Sequence, residues 1–163
     1  MNTPFADRGS RLHEMIDLMR HLWTGESVNF HGRYWTVTNA RMHPTPLRKR
    51  VPIALGGHSP VAIRRAARVA NAWLPHARLP DQLREEISEL RAECQRNGRG
   101  SVEVIVQSGR AYQLSPEMHA LHQELGVDHV ILDTQVSSND QSEFIEAMHH
   151  WAEITGLRAR LHA

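Results

Sequence analysis

The sequence predicts an α/β protein built on a parallel β-sheet, and three features of its 163 residues support that prediction. Between residues 51 and 155, short apolar runs alternate with longer segments of helical periodicity, which is the pattern of βαβ units. Glycine, proline and serine separate these segments, as is typical of the turns between elements. Hydrophobic residues make up 40% of the chain and charged residues 23%, a composition ordinary for a globular protein. We therefore expect residues 1–163 to form a single domain.

A helix and a β-hairpin are expected before the alternating region. Apolar residues recur at helical spacing over 10–23, and Ser10 is the expected N-cap. Residues 27–39 are rich in β-forming side chains, with His31-Gly32 as the expected turn. Residues 40–50 contain two prolines and a basic cluster, which indicates an extended crossing on the surface.

Four strand–helix pairs follow, and their strands are expected to be parallel neighbours in sequential order. The predicted strands are 51–55, 72–75, 102–107 and 127–132. The predicted helices are 59–70, 81–97, 115–126 and 140–155. In the last helix we expect Phe144, Met148 and Trp151 to face inward.

A pair of glycines ends the first of these strands and allows two interpretations. In parallel α/β folds the ligand binds beyond the carboxyl ends of the strands, where Gly56 and Gly57 lie. Glycine lets backbone N–H groups approach a ligand closely, and the helix beginning at Ser59 offers its positive end there. A phosphate at such an end gains on the order of 0.3–1 kcal/mol from the helix dipole. The alternative is that the pair only supplies the positive φ of a tight turn.

Three segments of the chain resemble the luciferase-like monooxygenase family, in its flavin- and deazaflavin-dependent branch. They are RGSRLHEMIDLMRHLWTGESVNFHGRYW (8–35), PIALGGHSPVAIRRAARVANAWLP (52–75) and LGVDHVILD (125–133). The resemblance implies that FMN or a deazaflavin coenzyme binds at the strand ends. The residues it places at that coenzyme are Ala54, Leu55, Gly56, Gly57, His58 and Ser59. It also implies half of a (β/α)8 barrel, because only the family's last four strands are recognisable.

A half-barrel is incomplete, since a whole barrel needs about 250 residues. The chain is then a fragment, a separately encoded half or a decayed gene product. Four parallel strands would leave two open edges and an exposed apolar concave face. We therefore expect a homodimer, or a partner chain that supplies the missing half, with an interface of roughly 2,000 Å² or more. The implied function is an oxidoreductase that is incomplete on its own; the alternative is a non-catalytic dimeric half-barrel that serves as an interaction module.

Other polar side chains are expected just beyond strand ends. His58 and His76 are each either a hydrogen-bond donor to the coenzyme or a solvated loop residue. Further residues in this position are Gln107, Ser108, Arg110 and Asp133. Arg110 either contacts an anion or is simply exposed, and Asp133 either contacts a ligand or caps the loop.

Several other patterns are expected to be structural. His119 and His122 have the i, i+3 spacing of metal ligands, but no completing ligands lie nearby, so a solvated helix face is expected. Cys94 lies on the apolar stripe of its helix and is expected in the core. The arginines at 64, 65 and 68 are expected on a charged outer helix face rather than in a nucleic-acid site.

Global charge and hydropathy indicate no nucleic-acid or membrane partner. The formal net charge is only +1, and no run of 18 apolar residues occurs. The first residues lack the apolar core of a signal peptide. We therefore expect a cytoplasmic protein.

Overall fold

The structure, a computed structural model, describes residues 4–75, 78–107, 115–131 and 141–156. It contains two compact units, Met1–Val51 and Pro52–Ala163. None of the described helices is long and apolar enough to cross a bilayer.

The first unit is a helix followed by a hairpin, as predicted. A short 3-10 turn, Phe5–Asp7, leads directly into α1 (Arg8–Leu22). The antiparallel strands β1 (Val28–His31) and β2 (Thr36–Ala40) follow.

The prediction that Ser10 caps α1 is wrong. Because the 3-10 turn runs into the helix, Asp7 occupies the N-cap position and Ser10 lies within the first turn. Its hydroxyl donates to the Asp7 carbonyl oxygen at 3.1 Å and lies 2.8 Å from the hydroxyl oxygen of Tyr34.

The second unit contains a four-stranded parallel sheet with strands in sequential order. The strands are β3 (Ala54–Gly56), β4 (Ala72–Leu74), β5 (Glu103–Gln107) and β6 (His129–Ile131). In the register, Leu55 is beside Trp73, and Trp73 is beside Val104.

The sheet begins later than the sequence predicts, at Ala54 rather than Val51. Pro52 has no N–H to donate to a ladder. The backbone of Ile53 instead bonds to the residues that follow α2. Its N–H donates to the side-chain oxygen of Asn71, and its carbonyl accepts from the N–H groups of Asn71 and Ala72. Regular pairing therefore starts one residue further on.

Four helices accompany these strands: α2 (Pro60–Val69), α3 (Pro80–Arg96), α4 (Pro116–Leu125) and α5 (Gln141–Ile154). The predicted serine caps are present, because Ser59 Oγ accepts from the Ala62 N–H at 3.3 Å and Ser115 Oγ accepts from the Met118 N–H at 3.2 Å. In α2, α3 and α4 a proline occupies the first turn, where a missing N–H costs nothing.

The core lies between one face of the sheet and the helices. Its fully or nearly fully buried side chains include Leu55, Ile63, Trp73, Leu83, Ile87, Leu90, Val104 and Val106. Burial of each large apolar side chain contributes about 1.5–3 kcal/mol. Cys94 is buried as well, which confirms its predicted place in the core.

The last helix differs from the prediction. Phe144 and Met148 were expected to face inward, but their side chains are 45% and 52% exposed, and only Trp151 is half-buried. The helix follows β6, which is an edge strand among the described residues. No further strand beyond β6 is present there for its apolar side to cover.

Candidate functional site

The turn between β3 and α2 needs glycine at Gly57 and leaves little room for a side chain at Gly56. A Cβ at Gly56 would lie 3.2 Å from the backbone oxygen of Leu74 on the neighbouring strand. Gly57 has a φ of +103°, and a Cβ there would lie 2.9 Å from the Cβ of Ala62. Side chains rarely adopt that conformation. The positive φ of a tight turn is therefore present at Gly57 and not at Gly56, and the turn fixes where the first N–H groups of α2 lie.

Trp73 holds this turn from the adjacent strand. Its side chain is fully buried, and its indole Nε1–H donates to the Gly57 carbonyl oxygen at 2.8 Å. The bond satisfies a buried donor and fixes the peptide that leads out of the strand.

The turn offers backbone hydrogen-bond donors and no carboxylate. Among the described residues, the backbone N–H groups of His58 and Ser59 have no acceptor, as is usual before the first turn of a helix. Residues 54–59 contain no acidic side chain. The positive end of the α2 dipole adds to these donors, so the chemistry of the turn fits an anionic group.

The six residues predicted to contact a coenzyme contribute differently. Ala54, Gly56, His58 and Ser59 are exposed, and Gly57 is half-buried. Leu55 is 8% exposed and belongs to the core face of the sheet, so only its backbone is available to a ligand. Of the other candidates, Gln107 is the exposed last residue of β5, while His76, Ser108, Arg110 and Asp133 lie outside the described residues.

The face of the sheet turned away from the core brings a histidine close to a carboxylate, a contact not predicted from the sequence. His129 Nε2 lies 3.9 Å from Glu103 Oε2, and both side chains are more than half exposed. Side chains alternate between the two faces of a strand, so the apolar Val104 and Val106 of β5 indicated that Glu103 lies on the other face. Because both residues begin their strands, the pair lies at the sheet end opposite the Gly57 turn.

The predicted solvated histidine face of α4 is wrong for His122. His122 is 3% exposed, whereas His119 is half-buried. Burial, followed by repulsion from His119, lowers the pKa of His122, so its neutral form is favoured. No cluster of three or more metal-ligating side chains occurs in the described parts of the chain.

A cleft of about 360 Å³ lies between α3 and α4. Its lining includes Arg84, Ser88, Arg91, Gln95 and Glu124. Arg91 is already engaged, since its Nη2 donates to the carbonyl oxygen of Leu125 at 3.1 Å. The cleft is separate from the β3–α2 turn and adds nothing to the candidate site.

Parallel strands in sequential order, with helices packed on one face and a glycine turn at a strand end, define half of a (β/α)8 barrel protein. The family model of the luciferase-like monooxygenases matches residues 1–160. The chain therefore belongs to the luciferase-like monooxygenase family, and the resemblance noted in its sequence is confirmed.

The curated relatives are longer than this chain. An uncharacterized protein of Mycobacterium bovis is 38% identical over 101 residues, which cover 62% of this chain and 34% of the relative. An F420-dependent glucose-6-phosphate dehydrogenase of Gordonia bronchialis is 39% identical over 70 residues, which cover 43% of this chain and 20% of that enzyme. The matched part of the chain thus spans about a third or less of the length of these relatives.

Solved structures confirm the fold. An F420-dependent secondary alcohol dehydrogenase, in complex with an F420–acetone adduct, aligns with a TM-score of 0.67 at 16% identity. The alignment covers 81% of this chain and 58% of that one. A monooxygenase from Streptomyces bottropensis aligns with a TM-score of 0.56 at 17% identity, over 93% of this chain and 45% of that one. The half-barrel prediction is thereby confirmed.

Proposed function

We propose that the β3–α2 turn binds the phosphate-bearing part of a deazaflavin coenzyme in a luciferase-like oxidoreductase. The observation that carries this function is the pair of N–H groups at His58 and Ser59, which have no acceptor among the described residues. They lie at the positive end of α2 and beyond the carboxyl end of a parallel strand, where α/β barrels bind their ligands.

A deazaflavin is favoured over FMN by the relatives. Enzymes named as F420-dependent are found both among the sequence relatives and among the structural neighbours. Both coenzymes carry phosphate, so the turn itself does not distinguish them. FMN therefore serves as the competing ligand in the test.

The residues of the turn have distinct roles in this proposal. Gly57 sets the backbone conformation, and Trp73 holds it through the carbonyl oxygen. Ser59 is committed to capping α2 through its Oγ, so its backbone N–H is the group offered to the phosphate. The exposed His58 side chain adds a donor, and a positive charge when protonated.

When bound, the coenzyme supplies the hydride chemistry, and this chain binds and orients it. The described part of the chain provides four of the eight strands of a barrel. The remaining walls of the coenzyme and substrate site would come from the other half. We therefore expect the 163-residue chain alone to bind the coenzyme with a dissociation constant in the micromolar range or weaker, and to show no turnover.

Fluorescence titration of the purified chain with F420, and separately with FMN, tests this function. Gly57→Ala should weaken F420 binding about tenfold, the equivalent of one charge-assisted hydrogen bond. The matched control is Gly98→Ala, because Gly98 also has positive φ, at +61°, but follows α3 and has open space around it. The control should keep the wild-type affinity.

Two outcomes would contradict the proposed site. Equal losses for Gly57→Ala and Gly98→Ala, with both variants folded by thermal melting, would mean that the turn does not contact the coenzyme. Absence of binding by the wild type to either coenzyme would favour the alternative function, a non-catalytic half-barrel that acts as an interaction module.

A further inference from the structure

Among the described residues of the second unit, the exposed large apolar side chains lie mainly on its last strand and helix. The edge strands are β3 and β6, and each is followed by a helix, α2 and α5 respectively. The large apolar residues exposed on these four elements are Val61, Ile131, Phe144, Ile145 and Met148. Elsewhere among the described residues of this unit, Leu79 is the exposed large apolar side chain. The apolar exposure is thus greatest at the β6 edge, with Val61 as the corresponding residue on the β3 side.

The β3–α2 side and the β6–α5 side, here called the two flanks, carry opposite charges. Helix α2 contains Arg64, Arg65 and Arg68 and no acidic residue. Helix α5 contains Glu143, Glu146 and Glu153 and neither lysine nor arginine. Of the two helices between them, α3 mixes both signs along its length, whereas α4 contains Glu117 and Glu124 and neither lysine nor arginine. Among the four helices α2 is therefore the purely basic one, and α2 and α5 follow the two edge strands.

We propose that a second copy of this chain covers both flanks. The β6 edge of one protomer would lie beside the β3 edge of its partner, and α5 would pack against the partner's α2. A twofold axis parallel to the strands keeps all strands parallel and generates the second, identical contact. The four strands of each copy then make eight, the number that closes this type of barrel.

Charge complementarity selects this occupant. Each flank is repelled by another of its own kind and attracted by the other, which favours contact between the acidic α5 and the basic α2. Closure at two copies follows from the four strands that each copy contributes to an eight-stranded barrel. The exposed apolar side chains would be buried between the paired charges, as in interfaces with an apolar centre and a polar rim. Coenzyme binding is not needed for this pairing, so it can be tested independently.

Sedimentation equilibrium of the 163-residue chain, at micromolar concentration, measures the assembly. The wild type should have twice the monomer mass of 18.6 kDa. Reversing α2 (Arg64→Glu, Arg65→Glu, Arg68→Glu) or α5 (Glu143→Arg, Glu146→Arg, Glu153→Arg) should weaken the dimer by at least about tenfold. Arg84→Glu, on the exposed side of the central α3, is the control and should leave the dimer unchanged.

Mixing the two reversed variants gives the decisive result. In the mixed dimer both helix contacts again join opposite charges, so an equimolar mixture should regain the wild-type mass. A monomeric wild type, a dimer insensitive to both reversals, or a mixture that stays monomeric would each overturn the pairing. Thermal melts check that each variant is folded. If a triple variant does not fold, the single variants Arg68→Glu in α2 and Glu146→Arg in α5 replace the two triple variants in the same experiment.

Discussion

The indole Nε1–H of Trp73 donates a 2.8 Å hydrogen bond to the carbonyl oxygen of Gly57. The bond links the middle of β4 to the turn that leaves β3, so the core of the sheet and the candidate coenzyme site share one interaction. The sequence offered a signal for each partner separately: an apolar strand for one and a glycine pair for the other. Only the parallel register, with Trp73 beside Leu55, brings them together.

Trp73→Phe should therefore affect both stability and binding. The smaller ring leaves a cavity and the Gly57 carbonyl loses its donor, so the free energy of unfolding should fall by about 2–4 kcal/mol. F420 affinity should fall as well, because the turn is less constrained. Urea denaturation and coenzyme titration measure the two effects. The control is Trp151→Phe, on α5, which should leave coenzyme affinity unchanged. If the two variants bind the coenzyme equally well, Trp73 does not contribute to the site.

A second long-range contact organises the first unit. The carboxylate of Glu14 accepts from the backbone N–H groups of Arg33, Tyr34 and Trp35 at 2.8–2.9 Å. Desolvation opposes ionisation of Glu14, but these bonds and the nearby Arg11 outweigh it, so the pKa of Glu14 is lowered from its ordinary 4.5. The ionised carboxylate thus clamps the hairpin turn to α1.

The lowered pKa predicts how the hairpin responds to acid. The stabilisation is fully present above the unfolded pKa of 4.5 and is lost as the pH falls through the lower folded value. Amide exchange at Tyr34 and Trp35 should show higher protection in the wild type than in Glu14→Gln at neutral pH, and the gap should close as the pH falls below 4.5. Glu26→Gln, an exposed carboxylate in the same unit, should show no gap at any pH.

Arg99 fixes the end of α2 in a similar way. Its Nη1 and Nη2 donate to the carbonyl oxygens of Ala67 and Ala70, both at 2.9 Å. These carbonyls belong to the last turn, where helices lack internal donors and carry partial negative charge. Arg99→Ala should lower the free energy of unfolding by about 1–3 kcal/mol, measured in urea.

Two further variants separate capping from simple loss of charge. Arg99→Lys keeps the charge but lacks the planar fork, so it should recover only part of the loss. Arg84→Ala removes an exposed arginine of α3. Exposed surface substitutions usually change stability by no more than about 0.5 kcal/mol. A loss as large for Arg84→Ala as for Arg99→Ala would contradict the capping role.

These contacts show what the sequence could and could not predict. Ser59-Pro60 and Ser115-Pro116 identified their helix starts because capping depends on residues within one turn. Strand order followed from the alternation of elements. The Glu14 clamp joins residues about 20 positions apart and the Arg99 cap joins residues about 30 apart, and such pairs have no local pattern. The apolar periodicity of α5 was real, but periodicity does not reveal whether a neighbour is present to cover it.

His122 gives the last prediction, because its burial was not apparent from the sequence. Its pKa is lowered from 6.5 by burial and then by repulsion from His119. The unfolded chain therefore binds the proton more readily than the folded protein, so stability is fully present above pH 6.5 and falls as the pH drops through the lower folded value. Urea unfolding of the wild type at about pH 7.5 and pH 5.5 should show that loss. In His122→Phe the difference between the two pH values should shrink, whereas His31→Gln, which changes an exposed histidine of β1, should keep the wild-type difference. An undiminished pH dependence in folded His122→Phe would assign the acid sensitivity to other residues.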